Sequence, residues 1–122
     1  MKRLSKKQHS IFHYRKVNFE IIKNEIKVVS PVAIIIYGSY GRDEGSWFKD
    51  NNGEYQPYND YDILLIIDKK LSNLELDFLK TSILKKINIR WIDLGQKTVN
   101  ELKKLNPTIY NYDLKYASIV IY

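Results

Sequence analysis

Val32-Ala33-Ile34-Ile35-Ile36-Tyr37-Gly38-Ser39-Tyr40-Gly41-Arg42, followed further along by Asp60-Tyr61-Asp62-Ile63-Leu64-Leu65-Ile66-Ile67, decides the fold of this chain. Val32 to Tyr37 is an unbroken apolar, largely β-branched run, which predicts a strand buried on both faces and therefore central. It stops at Gly38. From Gly38 to Gly45 the chain is small and polar (Gly-Ser-Tyr-Gly-Arg-Asp-Glu-Gly), as a tight turn opening a short helix requires. Tyr61 to Ile67 predicts a second buried strand, with Asp60 just before it.

Working outward, the segment from about residue 5 to Val29 predicts a helix, with Phe12, Phe19, Ile22, Ile26 and Val29 along one face. Ser30-Pro31 ends it, because the residue before proline disfavours helical backbone. Trp47 to Tyr58 predicts a hairpin insertion around the turn pair Asn52-Gly53. Ser72-Asn73-Leu74-Glu75 reads as a capping box, with Leu71 and Leu76 as its hydrophobic staple. Leu76, Leu79, Ile83 and Ile87 supply that helix's buried face. A third strand is expected over Ile89 to Leu94, with Asp93 near its end. Thr98-Val99-Asn100-Glu101 opens another helix, closed by Asn106-Pro107, and Ala117 to Tyr122 predicts a final strand. The alternation argues for an α/β (α+β) fold, a mixed central sheet with helices packed against it. The expected organisation is one domain over 1–122, with the N-terminal helix at about 5–29 and the core at about 32–122.

Composition narrows the chemistry. The 122 residues contain no cysteine, which excludes disulfides, thiolate nucleophiles, cysteine zinc sites and iron–sulfur clusters. Any metal must sit on oxygen ligands or on the two histidines. A formal charge of +6 favours polyanionic partners, nucleic acid among them, although lysines spread over every predicted helix equally describe solvated faces. No apolar run approaches the length of a membrane span, and the basic N-terminus lacks an apolar signal core. A soluble cytoplasmic protein is the expectation.

Asp60 and Asp62 share one face of their strand, about 7 Å apart along the chain. Two carboxylates so placed repel each other unless a cation lies between them. Mg²⁺ takes hard oxygen ligands and commonly joins one or two carboxylates to substrate phosphates. Asp93 offers a third carboxylate. Taken alone, the Asp-x-Asp pair also fits a turn followed by a solvated strand residue. Gly38-Ser39 adds a second feature, since glycine after a buried strand lets backbone approach a ligand closely. Ser39 brings a hydroxyl and Arg42 a guanidinium for phosphate. Gly-Ser alone is also an ordinary helix cap.

The combination Ile36-Tyr37-Gly38-Ser39-Tyr40-Gly41-Arg42, then Asp60-Tyr61-Asp62-Ile63-Leu64-Leu65-Ile66, resembles the DNA polymerase beta–type nucleotidyltransferase superfamily, and within it the small bacterial nucleotidyltransferase-domain proteins. Trp91-Ile92-Asp93-Leu94 matches the later strand that carries a third acidic residue. The similarity runs from about Val32 to Tyr122. It implies transfer of a nucleoside monophosphate from a triphosphate, with ATP the expected donor, to an acceptor that stays open. The acceptor classes are a small molecule, a protein side chain and a nucleic-acid end. It implies Asp60, Asp62 and Asp93 as catalytic metal ligands for Mg²⁺, with Mn²⁺ the second candidate ion. Gly38, Ser39 and Arg42 become the nucleotide-binding residues. Two further readings are an antitoxin-like minimal nucleotidyltransferase that modifies a HEPN-domain toxin, and a catalytically silent nucleotide-binding or interaction module. So small a domain calls for a partner protein, a second copy or a downstream region beyond this chain to complete acceptor recognition. No membrane partner is expected.

One departure is the long gap between Gly-Ser and Asp-x-Asp, which the hairpin accounts for. Its Trp47, Tyr55 and Tyr58 either stack on a base or acceptor, or pack the hairpin onto the domain. Asp43 and Glu44 read as surface residues. His9 and His13 have the spacing of a helical metal pair, without the glutamate or third ligand that a zinc site needs. Asp50-Asn51-Asn52-Gly53 resembles the start of a calcium loop, but its glycine comes two positions early, as a hairpin turn would have it.

Overall fold

A computed structural model describes residues 5–41, 47–57, 60–87, 89, 91–104 and 119–122. Helix α1 spans Lys6–Ile26 and starts at a closed capping box. The Gln8 N–H donates to Ser5 Oγ at 3.1 Å, and the Ser5 N–H donates to Gln8 Oε1 at 2.8 Å. Asn18, Ile22 and Ile26, one turn apart, form its buried stripe. Phe12, expected on that stripe, is 54% exposed. Along this helix of 21 residues, ~32 Å in length, fully buried positions begin only at Asn18. The chain then tightens into a 3₁₀ turn, Lys27–Val29. Ser30 takes a left-handed conformation (φ 52°) and returns its N–H to the Lys27 carbonyl just ahead of Pro31. The helix thus ends sooner than the sequence pattern implies.

The main sheet contains β1 (Ala33–Tyr37), β4 (Tyr61–Ile67), β5 (Ile92–Thr98) and β6 (Ile119–Val120), in the order β5-β4-β1-β6. β1 runs antiparallel to both β4 and β6, while β4 and β5 are parallel. The two continuous apolar runs are the interior strands, as burial on both faces demands. One face carries Ile34, Ile36, Tyr61, Ile63, Leu65 and Ile67 against α1 and against α3 (Asn73–Leu84), which contributes Leu79 and Ile83. The other carries Ile35, Leu64 and Ile66 against Val99 and Leu102 of the short helix α4 (Val99–Lys103). A Lys86–Glu25 ion pair ties the end of α3 to α1.

Both predicted helix starts hold. Ser72 Oγ accepts the Glu75 N–H at 3.2 Å, and Thr98 and Glu101 form a reciprocal capping box. Leu71 and Leu76 both pack on the core. The third strand differs from expectation: it begins at Ile92, not Ile89, and continues through Gln96, Lys97 and Thr98. Parallel pairing with β4 out to Ile67↔Thr98 keeps these polar residues extended. The Gln96 amide adds a clamp, accepting the Leu71 N–H at 2.8 Å and donating to the Leu71 carbonyl at 2.9 Å. Asp93 therefore stands at the beginning of its strand. Asn106, Pro107, Ala117 and Ser118 lie outside the described residues.

Between β1 and β4 the chain forms a short helix, α2 (Gly38–Gly41), and a hairpin of β2 (Trp47–Lys49) and β3 (Tyr55–Pro57). Asp50 builds the turn by accepting the N–H groups of Asn52 and Glu54, and Gly53 supplies its positive φ of 80°. Among the described residues no helix is long and apolar enough to cross a membrane.

Candidate functional site

The register of three strands assembles the site. Tyr37, the last residue of β1, lies opposite Asp62, and Asp62 lies beside Asp93 of β5. Neighbouring strands are about 4.8 Å apart, and residues in register point to the same face. Asp62 and Asp93 thus share the face opposite α1, where Leu64 and Ile66 follow Asp62. Gly38 comes next after Tyr37, with φ +70°, a backbone conformation that L side chains rarely adopt. A Cβ at this position would overlap the Asp62 carboxylate oxygen Oδ2 and lie 3.2 Å from its Cγ. The glycine leaves open the space that the carboxylate uses.

Asp60 precedes Tyr61 directly and is half-buried, as is Asp62, whereas Asp93 is exposed. Ser39 follows in α2, and its side chain lies outside the described residues. So do Arg42, Asp43, Glu44 and Tyr58. Of the expected site residues, the structure brings together Gly38, Asp62 and Asp93, with Asp60 at the entry to β4. Among the described residues, no three Asp, Glu or His side chains stand close enough to hold a metal between them. Two neighbouring carboxylates still form a hard-oxygen donor set, of the kind that suits a magnesium ion bringing phosphate and water ligands of its own.

Behind the carboxylates is an aromatic support. Tyr61 is fully buried, and its hydroxyl accepts the Asn18 Nδ2–H at 2.9 Å. Burial pushes its phenol well above the ordinary range, opposed by the Asn18 hydrogen bond. Tyr40 of α2 meets Tyr61 edge-on with centroids 4.9 Å apart, Phe19 meets it at 5.8 Å, and Trp47 meets Tyr40 at 5.7 Å. Sequence reasoning missed Asn18. The signal was a polar residue in register with Ile22 and Ile26, since a buried amide needs a buried partner.

Trp47 and Tyr55 use their rings for packing: Trp47 lies against Tyr40, and Tyr55 stands 6.5 Å from Tyr14 of α1. The hairpin is thereby joined to both α1 and α2. Asp50 is a turn residue, and backbone N–H groups, Glu54 first, hold its carboxyl below the ordinary range. His9 and His13 are exposed on α1, and the His13 ring meets Tyr14 edge-on at 5.3 Å.

No protein-family model and no curated protein matches the sequence. Among solved structures, the chain is similar to one from Shewanella oneidensis, a tri-AMPylated HEPN toxin in complex with MNT antitoxin, the match being to its minimal nucleotidyltransferase component. The TM-score is 0.57 at 15% identity, covering 88% of this chain and 71% of that one. The likeness shows a shared fold, a mixed α/β sheet with packed helices.

Proposed function

We propose that this chain is an antitoxin-like minimal nucleotidyltransferase that moves a nucleoside monophosphate, AMP from ATP in the first instance, onto a partner protein. The observation that carries the reading is the fold likeness over 88% of the chain to a component of a complex whose toxin is AMPylated. The convergence of Gly38, Asp62 and Asp93 at one end of the sheet supports it independently of that likeness.

In this reading Asp62 and Asp93 would hold Mg²⁺ together with phosphate oxygens of the nucleotide, with Asp60 at the entry to β4 beside them, while Gly38, Ser39 and Arg42 would hold the triphosphate. Bound Mg²⁺ would neutralise phosphate charge and favour ionisation of the acceptor hydroxyl. The acceptor oxygen attacks the α-phosphorus, the bond to the bridging oxygen breaks, and pyrophosphate leaves. Asp93, the most exposed of the three carboxylates, takes the acceptor's proton. Gly38 keeps the backbone low enough for Asp62 to reach over it. Tyr61 and Asn18 fix the strand that carries Asp60 and Asp62.

A second reading, a nucleotide-binding or interaction module without catalysis, draws on the absence of a formed three-ligand group among the described residues. One experiment separates the two. The protein is incubated with Mg²⁺, ATP labelled on its α-phosphate, and cell extract as the acceptor source. Label on a protease-sensitive, nuclease-resistant product, lost in the Asp60→Ala, Asp62→Ala variant, is the expected result. Metal-dependent nucleotide binding without transfer favours the silent module. Label on nucleic acid or on a small molecule overturns the partner-protein acceptor.

A further inference from the structure

We propose, on the basis of that transfer reading, that Trp91 is the contact residue for the acceptor, stacking on an aromatic side chain beside the attacking hydroxyl of the partner protein. Trp91 leads directly into β5 (Ile92–Thr98). It stands two residues before Asp93, no more than about 7 Å away along the chain. The two tryptophans of the sequence differ in surroundings. Trp47 packs on the core and meets the Tyr40 ring, whereas Trp91 is 45% exposed.

Strand order gives the direction from which the acceptor comes. Across the site the sheet runs β5-β4-β1. Gly38 follows β1, Asp62 lies next to it on β4, and Asp93 lies beyond on β5. In the transfer reading the triphosphate tail lies at Gly38 and Ser39, with the α-phosphorus at Asp62 and Asp93. Phosphoryl transfer is roughly in line, so the attacking oxygen enters opposite the departing pyrophosphate. A leaving group on the β1 side therefore brings the acceptor in over β5. Asp93, which takes the acceptor's proton, is on that strand, and Trp91 stands at its start.

The indole is also held for contact. Lys80 of α3 places its Nζ 5.1 Å from the Trp91 ring centroid. A cation over an aromatic face is attracted by the ring quadrupole, and this limits the orientations that the exposed ring samples. An indole moves about only two torsions, so it supplies large contact area at small entropic cost. Tryptophan is among the residues that carry most of the energy of binding surfaces.

The same lysine selects the guest. A second cation at the ring would meet the Lys80 charge, which disfavours lysine and arginine side chains there. A neutral aromatic ring gains offset or edge-on contact with the indole beyond the area it buries. A saturated side chain of the same size lacks that gain. The acceptor feature read at Trp91 is therefore an aromatic side chain neighbouring the hydroxyl that receives the nucleotide.

The test uses Trp47→Phe, in which Trp91 is the one remaining tryptophan. Its emission is titrated with a short peptide carrying serine followed by 4-nitrophenylalanine, a quencher, with and without Mg²⁺ and an ATP analogue bridged by methylene between its α and β phosphorus atoms. Saturable quenching is expected. A phenylalanine peptide should displace the probe, and a cyclohexylalanine peptide should need about three- to tenfold higher concentration. With α-labelled ATP and cell extract, Trp91→Leu should lower protein labelling about tenfold, and Trp91→Phe should restore most of it. Mg²⁺-dependent ATP binding should be unchanged in both, and thermal unfolding like that of the native protein establishes that they fold. Quenching that never saturates, equal displacement by the two peptides, or labelling that Trp91→Leu leaves intact overturns the proposal. So does quenching by the ATP analogue alone, which assigns the ring to the donor's base. A native protein that binds no ATP with Mg²⁺, or transfers no label, overturns the transfer reading instead. The peptide titration without nucleotide then still decides whether Trp91 takes an aromatic side chain.

Discussion

The carboxylate of Asp62 fills the space that a side chain on Gly38 would occupy. The antiparallel register of β1 and β4, with Tyr37 opposite Asp62, brings the two residues together. The glycine thus has two duties, a left-handed turn at the end of a buried strand and clearance for an acid on the next. Gly38→Ala violates both. A non-glycine residue held at positive φ costs about 1–3 kcal/mol, and the Asp62 side chain must also swing away. Urea unfolding should show a stability loss in that range. Adding Asp62→Ser should recover the overlap component and leave the φ component. Full additivity of the two substitutions would show that the residues are not in contact.

Asn18 and Tyr61 form the buried polar contact between α1 and the strand that carries the acids. Asn18→Leu keeps the side-chain volume roughly constant but leaves the phenol without this donor. A buried hydroxyl losing its partner costs about 1–3 kcal/mol. The double variant Asn18→Leu, Tyr61→Phe should be more stable than Asn18→Leu alone, because neither group then needs a partner. A double variant no better than the single one would show that the hydrogen bond is not the source of the effect.

The hairpin turn should respond to acid. Backbone N–H groups of Glu54 and Asn52 hold the Asp50 carboxyl below its ordinary value of 3.8. A carboxyl whose folded pKa is depressed adds stability that is fully present above the unfolded pKa. That contribution fades as pH falls through the folded value. The same sign applies to Glu101, held low by the Thr98 N–H and then by Lys70. Amide shifts of Asn52 and Glu54, followed by NMR below pH 4, should titrate together at a pH under 3.8 in the native protein and not in Asp50→Asn. Titration at or above the ordinary value would contradict the turn described here.

Interior strands were legible in the sequence because burial on both faces forces continuous apolar composition, as in Ile34–Tyr37 and Ile63–Ile67. Helix starts were legible at Ser72 and Thr98 because capping is local chemistry. The polar half of β5 was not, since Gln96, Lys97 and Thr98 are extended by pairing with a strand distant in sequence. Phe12 fits the helical pattern of α1, yet full burial along that helix begins only at Asn18, a fact set by tertiary packing and not by periodicity. At the candidate site the residue types and their faces could be read in advance. The Gly38–Asp62 approach and the Asn18–Tyr61 bond could not, because each depends on a register or a contact between separate elements. For the same reason Asp93 moved from the end of its strand to its start, where it stands beside Asp62.

That neighbouring pair leads to a final prediction. Asp62 and Asp93 sit in register on parallel strands and on one face, so their like charges repel each other. Asp93→Asn removes this repulsion, so in the presence of a chelator the variant should melt at or slightly above the native temperature. Millimolar Mg²⁺ should reverse the order. An ion that binds the folded state stabilises it in proportion to its saturation, and the native protein retains the stronger donor set. Mn²⁺ should act in the same direction, and addition of ATP with either ion should widen the difference. Differential scanning fluorimetry of native protein, Asp62→Asn and Asp93→Asn, each with chelator, with Mg²⁺, and with Mg²⁺ and ATP, reads all three effects. If neither ion shifts the native melting temperature while both asparagine variants are destabilised in chelator, the two carboxylates are structural groups and the metal reading fails.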